Sequence, residues 1–244
     1  MTAAIRALTV RAGAATVLDS VDLDLRAGTL TALVGESGCG KSMVASALCG
    51  LLPAGTAATG EVTVAGRALG QGDAAWSAVR GHVVGVVPQS PVTSFTPVRT
   101  LGSQLDEVIR TLDGTRSPAQ LCAAAGLPAD ALPLYPHELS GGMAQRAAVA
   151  AAVAGAPSVM LADEPTSALD PDTARGVLRL LRDLADDGAA VLVITHDLPS
   201  VLAAGCEVLA VMRAGRIVVQ GSPARVRAAA VTDDYIAAFF EEVR

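Results

Sequence analysis

The segment GESGCGKS, Gly35 to Ser42, constrains this chain more than any other. It has the spacing G-x-x-x-x-G-K-[ST], follows the apolar run LTALV (30–34), and opens an apolar helical pattern through Met43, Val44, Ala47, Leu48 and Leu51. A glycine-rich turn from buried strand to helix aims backbone N–H groups at one point, where the new helix adds its positive end. The candidate phosphate cradle is therefore Gly35, Glu36, Ser37, Gly38, Cys39, Gly40, Lys41, Ser42 and Met43. Lys41 is the only lysine; the other seventeen of the 18 basic residues are arginine. An ammonium is a compact point charge that fits a crowded loop where a planar guanidinium does not. Lys41 is expected to reach terminal phosphates and Ser42 to ligate Mg²⁺.

Hydrophobic patterning supplies the frame. In SVDLDLRAG, Val21, Leu23 and Leu25 alternate with Asp22, Asp24 and Arg26, and GEVTVAG (60–66) repeats the pattern, which predicts one-sided antiparallel strands. The runs at 30–34, 82–87, 158–162 and 190–195 are continuously apolar, as strands of a parallel sheet covered on both faces are. VLAVMRAGRIVVQG predicts a hairpin turning at Ala214-Gly215, and 224–243 a helical stretch. Between the second and third apolar runs lie a Pro-rich loop and helical patterns at 101–112, 117–127 and 142–156. The expectation is one α/β domain over 1–244: a P-loop core (1–88 and 157–222) with an N-terminal antiparallel β subdomain, an inserted helical subdomain (89–156) and a short helical tail (223–244).

Bulk properties narrow the partners. A net charge of -6 argues against nucleic acid, whose backbone needs basic faces, but not against a small phosphorylated ligand. The charge-free run from Ala147 to Ala162 is broken by Gly155 and Pro157 and falls short of the ~20 residues of a spanning helix. Cys39, Cys49, Cys122 and Cys206 form no CxxC pair, which fits a reduced cytosolic setting and no structural metal. Cys39, inside the cradle, is either a reactive thiol or an inert small residue, the second reading being favoured.

Further candidates stand at strand ends and helix starts. SVMLADEP delivers Asp163, suited to a Mg²⁺ shell, and Glu164, suited to a general base. Ser140 in ELSGGM is placed to cap a helix whose amides Gly141 and Gly142 leave bare for an anion. Gln89 and His196 each follow an apolar run. Taken singly, each of these has an ordinary structural explanation.

Their order, P-loop, Gln89, LSGG, apolar-DE, SALD and His196, resembles the ATP-binding cassettes that drive ABC transporters. The resemblance covers about Ile5 to Gly221 and implies a head-to-tail dimer with two ATP molecules at the interface, each between the P-loop of one subunit and the LSGG segment of the other. By that resemblance Lys41 and Ser42 hold phosphates and Mg²⁺, Gln89 senses metal and transporter, and Asp163 is the second metal-shell residue. Glu164 is the base and His196 the switch. Ser140, Gly141 and Gly142 clasp the partner's ATP beside Asp170. GLLPAGTAATGEV, VVPQSPVTSFTPV and LYPHELSGGMAQR look like the ATPases of bacterial peptide, nickel and metallophore importers. Those imply a second ATPase subunit (a homodimer being the other option), two membrane permease subunits, an extracytoplasmic solute-binding protein reached indirectly, and a place on the cytoplasmic face of the cell membrane. The sequence departs from the family at its adenine end. Ala12 stands where an aromatic is usual, no aromatic precedes Trp76, and Val17 is the candidate substitute. Pro88 replaces a common aromatic before Gln89, and the chain lacks the cysteine cluster that peptide-branch relatives often carry near their C-terminus. The competing readings are a nucleotide-gated module that hydrolyses little, an exporter motor and a non-transport cassette protein.

Overall fold

The computed structural model describes residues 2–167 and 169–241. In chain order its elements are β1 (Ala3–Ala12), β2 (Ala15–Leu25), β3 (Thr29–Gly35), α1 (Lys41–Leu48), β4 (Thr56–Val64), β5 (Arg67–Leu69), α2 (Trp76–Val79) and β6 (Val84–Val87). Then come α3 (Leu101–Thr111), α4 (Pro118–Ala124), α5 (Gly141–Ala152), β7 (Val159–Asp163), α6 (Pro171–Asp186), β8 (Ala190–Thr195) and α7 (Leu198–Ala203). β9 (Val208–Arg213), β10 (Arg216–Gly221), α8 (Pro223–Ala229) and α9 (Asp234–Glu241) complete it.

The apolar runs become the centre of a six-stranded sheet in the order β10-β9-β3-β8-β7-β6. β9 through β6 are parallel and β10 pairs antiparallel at the edge. Alternate residues of the central strands enter two different cores. Leu30, Ala32 and Val34 of β3, Met160 and Ala162 of β7, and Val191 and Val193 of β8 pack with the helices. Leu33, Leu161, Leu192 and Ile194 pack with α1 and the second sheet, which is antiparallel in the order β2-β1-β4-β5. Burial on both faces explains the unbroken apolar runs.

Several expectations shift in detail. The strand expected at 82–87 begins at Val84. The one-sided strand at 21–25 is the end of an eleven-residue strand, and its partner β1 is not evident in the sequence pattern. The hairpin turns at Ala214-Gly215 as expected, with both residues at positive φ (46° and 81°) in the manner of a tight strand-matching turn. The helical tail is two helices rather than one. Asp233 starts the second by accepting the N–H groups of Tyr235 and Ile236 at 2.9 and 3.3 Å. The helix expected to run on to Val243 leaves the described residues at Glu241, and Ala168 of SALD also lies outside them. No helix among the described residues is long and apolar enough to cross a membrane.

Parallel strands end on one edge, and here that edge collects the loops after β3, β6, β7 and β8. Leu161, fully buried in β7, anchors the strand that delivers the two carboxylates. Leu161→Ala is expected to destabilise the fold by about 2–5 kcal/mol, read as a lower urea midpoint; an unchanged midpoint would show that β7 is not held by this packing.

Candidate functional site

Two of the loop's glycines, Gly35 and Gly40, sit where side chains have no room. A Cβ on Gly35 would stand 2.4 Å from the Met212 carbonyl oxygen and 2.8 Å from Cys39 Sγ. Gly40 has φ 107°, and its Cβ would meet Leu18 at 2.8 Å and the Val17 carbonyl at 3.0 Å. Helix α1 starts at Lys41 with no side-chain cap at Gly40, and the Met43 N–H donates to the Gly40 carbonyl at 3.0 Å. The Lys41 ammonium folds back into the loop and donates to the Gly35 and Glu36 carbonyls at 2.7 and 2.9 Å. Lys41 is only 7% exposed. Cys39 is buried and desolvation raises its thiol, which agrees with an inert small residue rather than a reactive one.

The loop faces a cleft of about 380 Å³ lined by Val17, Ser37, Gly38, Gly40, Lys41, Ser42, Met43, Gln89 and Glu164. Larger clefts exist elsewhere, two of about 550 and 560 Å³, so size does not single this one out. Its distinction is the convergence of loop amides, an ammonium and a carboxylate. Ala12 is exposed near the tip of the β1–β2 hairpin and does not line the cleft, whereas Val17 does.

Asp163 closes β7 and Glu164 follows it in a left-handed backbone conformation, φ 47°, that a residue with a side chain adopts at a cost. The Glu164 amide donates to the Ile194 carbonyl of β8 at 2.8 Å, which holds the turn. His196 Nδ1 stands 3.2 Å from Glu164 Oε1, in hydrogen-bond geometry, and 3.0 Å from Oε2, where the angle is poor. Asp163 Oδ1 is buried with no hydrogen-bond partner. Burial raises the Asp163 carboxyl, with the Ser42 hydroxyl and Lys41 acting against the rise and Glu164 adding to it. The partnerless Asp163 oxygen, next to the candidate phosphate loop and with the Ser42 hydroxyl at hand, is a hard oxygen donor of the kind that suits Mg²⁺.

The remaining candidates face elsewhere. Ser140, Gly141, Gly142 and Asp170 do not line this cleft. The Ser140 hydroxyl accepts the Met143 N–H at 3.2 Å and caps α5. Asp170 caps α6 through the amides of Asp172 and Thr173 at 3.1 and 3.0 Å. Gly142 has a packing reason for lacking a side chain, since a Cβ there would stand 2.5 Å from the Thr173 methyl. Gly141 has no such crowding, its Cβ meeting only Leu169 at 3.7 Å. One contact escaped the sequence. The Tyr235 hydroxyl of α9 lies 3.4 Å from the Glu36 amide, and no local pattern signals a partner 199 residues away.

Residues 18–167 match the family described as ABC transporter. The chain belongs to that family. Among curated ABC relatives, a probable peptide ABC transporter ATP-binding protein of Sinorhizobium fredii is 43% identical over 84% of this chain and 64% of its own length. The oligopeptide transport ATP-binding protein OppD of Mycobacterium tuberculosis is 39% identical over 83% of this chain and 35% of its own. The methionine import ATP-binding protein MetN of Streptomyces griseus is 41% identical over 87% and 61%. The chain thus spans between about a third and two thirds of these relatives' lengths. Among solved structures, a dimeric bacterial ABC transporter cassette superimposes with a TM-score of 0.76 at 27% identity, covering 90% of this chain and 98% of that one.

The raised Asp163 carboxyl makes a signed prediction for this ABC cassette. Such a group holds its proton more tightly folded than unfolded, so stability falls as pH rises from the ordinary value of 3.8 through the raised one. The loss persists at neutral pH. Asp163→Asn is therefore expected to raise the thermal midpoint of the nucleotide-free protein at pH 7, with the gain shrinking as pH falls toward 3.8. Scanning calorimetry that finds an equal or lower midpoint at pH 7 would contradict the burial argument.

Proposed function

We propose that this chain binds and hydrolyses Mg-ATP as the motor subunit of an ABC importer, with a peptide-like solute as cargo. The observation that carries the reading is the cleft in which the glycine-rich loop, the buried Lys41 ammonium and the Glu164 carboxylate, paired with His196, converge. The names of the Sinorhizobium and Mycobacterium relatives support the cargo class.

In this mechanism Gly35 to Met43 cradle the phosphates, and Lys41 leaves its loop carbonyls to meet the terminal ones. Ser42 and Asp163, joined by Gln89, would hold Mg²⁺. Bound Mg²⁺ supplies positive charge that offsets charge on the phosphates. Glu164 accepts the proton of the attacking water, and His196, on the same carboxylate, orients it and contacts the terminal phosphate. The apolar base contact comes from Val17 rather than an aromatic ring. Ser140, Gly141 and Gly142, with Asp170 alongside, face away from this cleft because they serve the ATP of a second ATPase subunit. Binding energy then closes the dimer, since ATP meets both halves only when they are shut.

The segment 89–156 is proposed to work as a unit that passes this closure to two permease subunits at the cytoplasmic face of the membrane. The groove of about 550 Å³ between that segment and the core supports this, with apolar Leu51, Val86 and Phe95 among its lining. Leu51 and Val86 are exposed for large apolar side chains.

Glu164→Gln is expected to retain ATP binding and lower turnover in the assembled transporter by at least about a hundredfold, the scale of a general base. Undiminished steady-state hydrolysis would remove Glu164 from that role. Lys41→Arg keeps the charge and is expected to lose ATPase activity, because the ammonium sits within 2.9 Å of two carbonyls where a guanidinium fork does not fit. Normal phosphate release from that variant would refute the steric argument.

A further inference from the structure

The loop that holds Lys41 is itself held from behind. β9 and the turn after it press on the loop from one side, with the Met212 carbonyl against Gly35 and the Gly215 amide donating to the Cys39 carbonyl at 2.9 Å. Helix α9 adds a side chain to this clamp. The Tyr235 hydroxyl donates to the Met212 carbonyl at 2.9 Å and accepts the Glu36 N–H at 3.4 Å.

We propose that Tyr235 is a positioning residue for the nucleotide loop, fixing the peptide unit between Gly35 and Glu36. The inference rests on the reading of that loop as the phosphate site of ATP. A peptide unit is planar, so its N–H and C=O point to opposite sides and turn together. The N–H of this unit belongs to Glu36 and meets Tyr235; its carbonyl belongs to Gly35 and accepts Lys41 Nζ at 2.7 Å. A hydrogen-bonded line thus runs from the Met212 carbonyl through the Tyr235 hydroxyl and the Gly35–Glu36 peptide to the Lys41 ammonium. Each link also polarises the next.

The geometry of the ring makes the hydroxyl dependable. The Arg213 guanidinium lies 4.7 Å from the ring centroid, and Phe239 meets the ring edge-on at 5.2 Å between centroids. Ile236 and Phe240 of the same helix are buried in the core beside Val226 of α8. The phenol is pushed up by burial, so it stays protonated and keeps donating to Met212. The Glu36 amide, turned toward Tyr235, does not have to be satisfied by a ligand. A loop fixed in advance loses less conformational freedom when phosphates arrive, so the hydroxyl strengthens nucleotide binding without taking part in hydrolysis.

Tyr235→Phe removes the hydroxyl and keeps the ring. Calorimetric titration of the full chain with the magnesium complex of an imido analogue of ATP compares wild type, Tyr235→Phe and Lys41→Ala. Tyr235→Phe is expected to bind roughly three- to tenfold more weakly, the scale of one hydrogen bond. Its Glu36 amide is expected to exchange faster with solvent by NMR, and kcat at saturating ATP in the assembled transporter to stay at the wild-type value. Equal or tighter binding by Tyr235→Phe, unchanged exchange at Glu36, or a fall in kcat with affinity intact would each overturn the proposal. If wild type and Lys41→Ala bind equally, the ATP reading itself fails and takes this inference with it. If those two differ and Tyr235→Phe matches wild type, the role of the hydroxyl alone fails.

Discussion

A buried ammonium must be solvated by something. Lys41 is 7% exposed, and water is replaced around its Nζ by the Gly35 and Glu36 carbonyls. Leaving a charge in that position without such partners costs several kcal/mol. The loop therefore has to curl around its own lysine, which in turn demands glycine where Met212, Val17 and Leu18 come close. Strand β3 must end at that point, and β9 must run beside it. The cradle is thus a property of the sheet edge and not of the motif alone.

The same edge concentrates features that weaken the free protein. Glu164 holds a left-handed backbone, and conformations of that kind cost of order 1–3 kcal/mol. Asp163 Oδ1 is buried without a hydrogen-bond partner. A bound cation would give the buried Asp163 oxygen the partner it lacks. Ser140 and Asp170 lie outside the cleft and cap helices within their own chain.

Legibility in the sequence followed burial. β3, β7 and β8 could be read because both faces are covered and nothing interrupts the apolar run. β1 could not: Ala7 has φ 45° and the pairing shifts register between Ile5 and Leu8, which breaks the period-2 alternation. The split between α8 and α9 depends on Asp233 capping, a local feature hidden in a polar stretch. The carboxyl-edge residues stand close to strands that were legible, so their convergence could be anticipated. The Tyr235 contact joins the last helix to the first glycine loop across most of the chain, and only tertiary packing reveals it. The glycine at 142 carried a second reason, the Thr173 methyl, that the motif does not state.

In the proposed mechanism Lys41 moves from loop carbonyls to nucleotide phosphates. Because Lys41 is the only lysine, ¹⁵N-lysine labelling yields a single side-chain ammonium signal in this protein. This signal is expected to shift on addition of Mg-ATP and to stay in place with Mg-AMP, which lacks the terminal phosphates. A lysine signal unmoved at saturating Mg-ATP would contradict it.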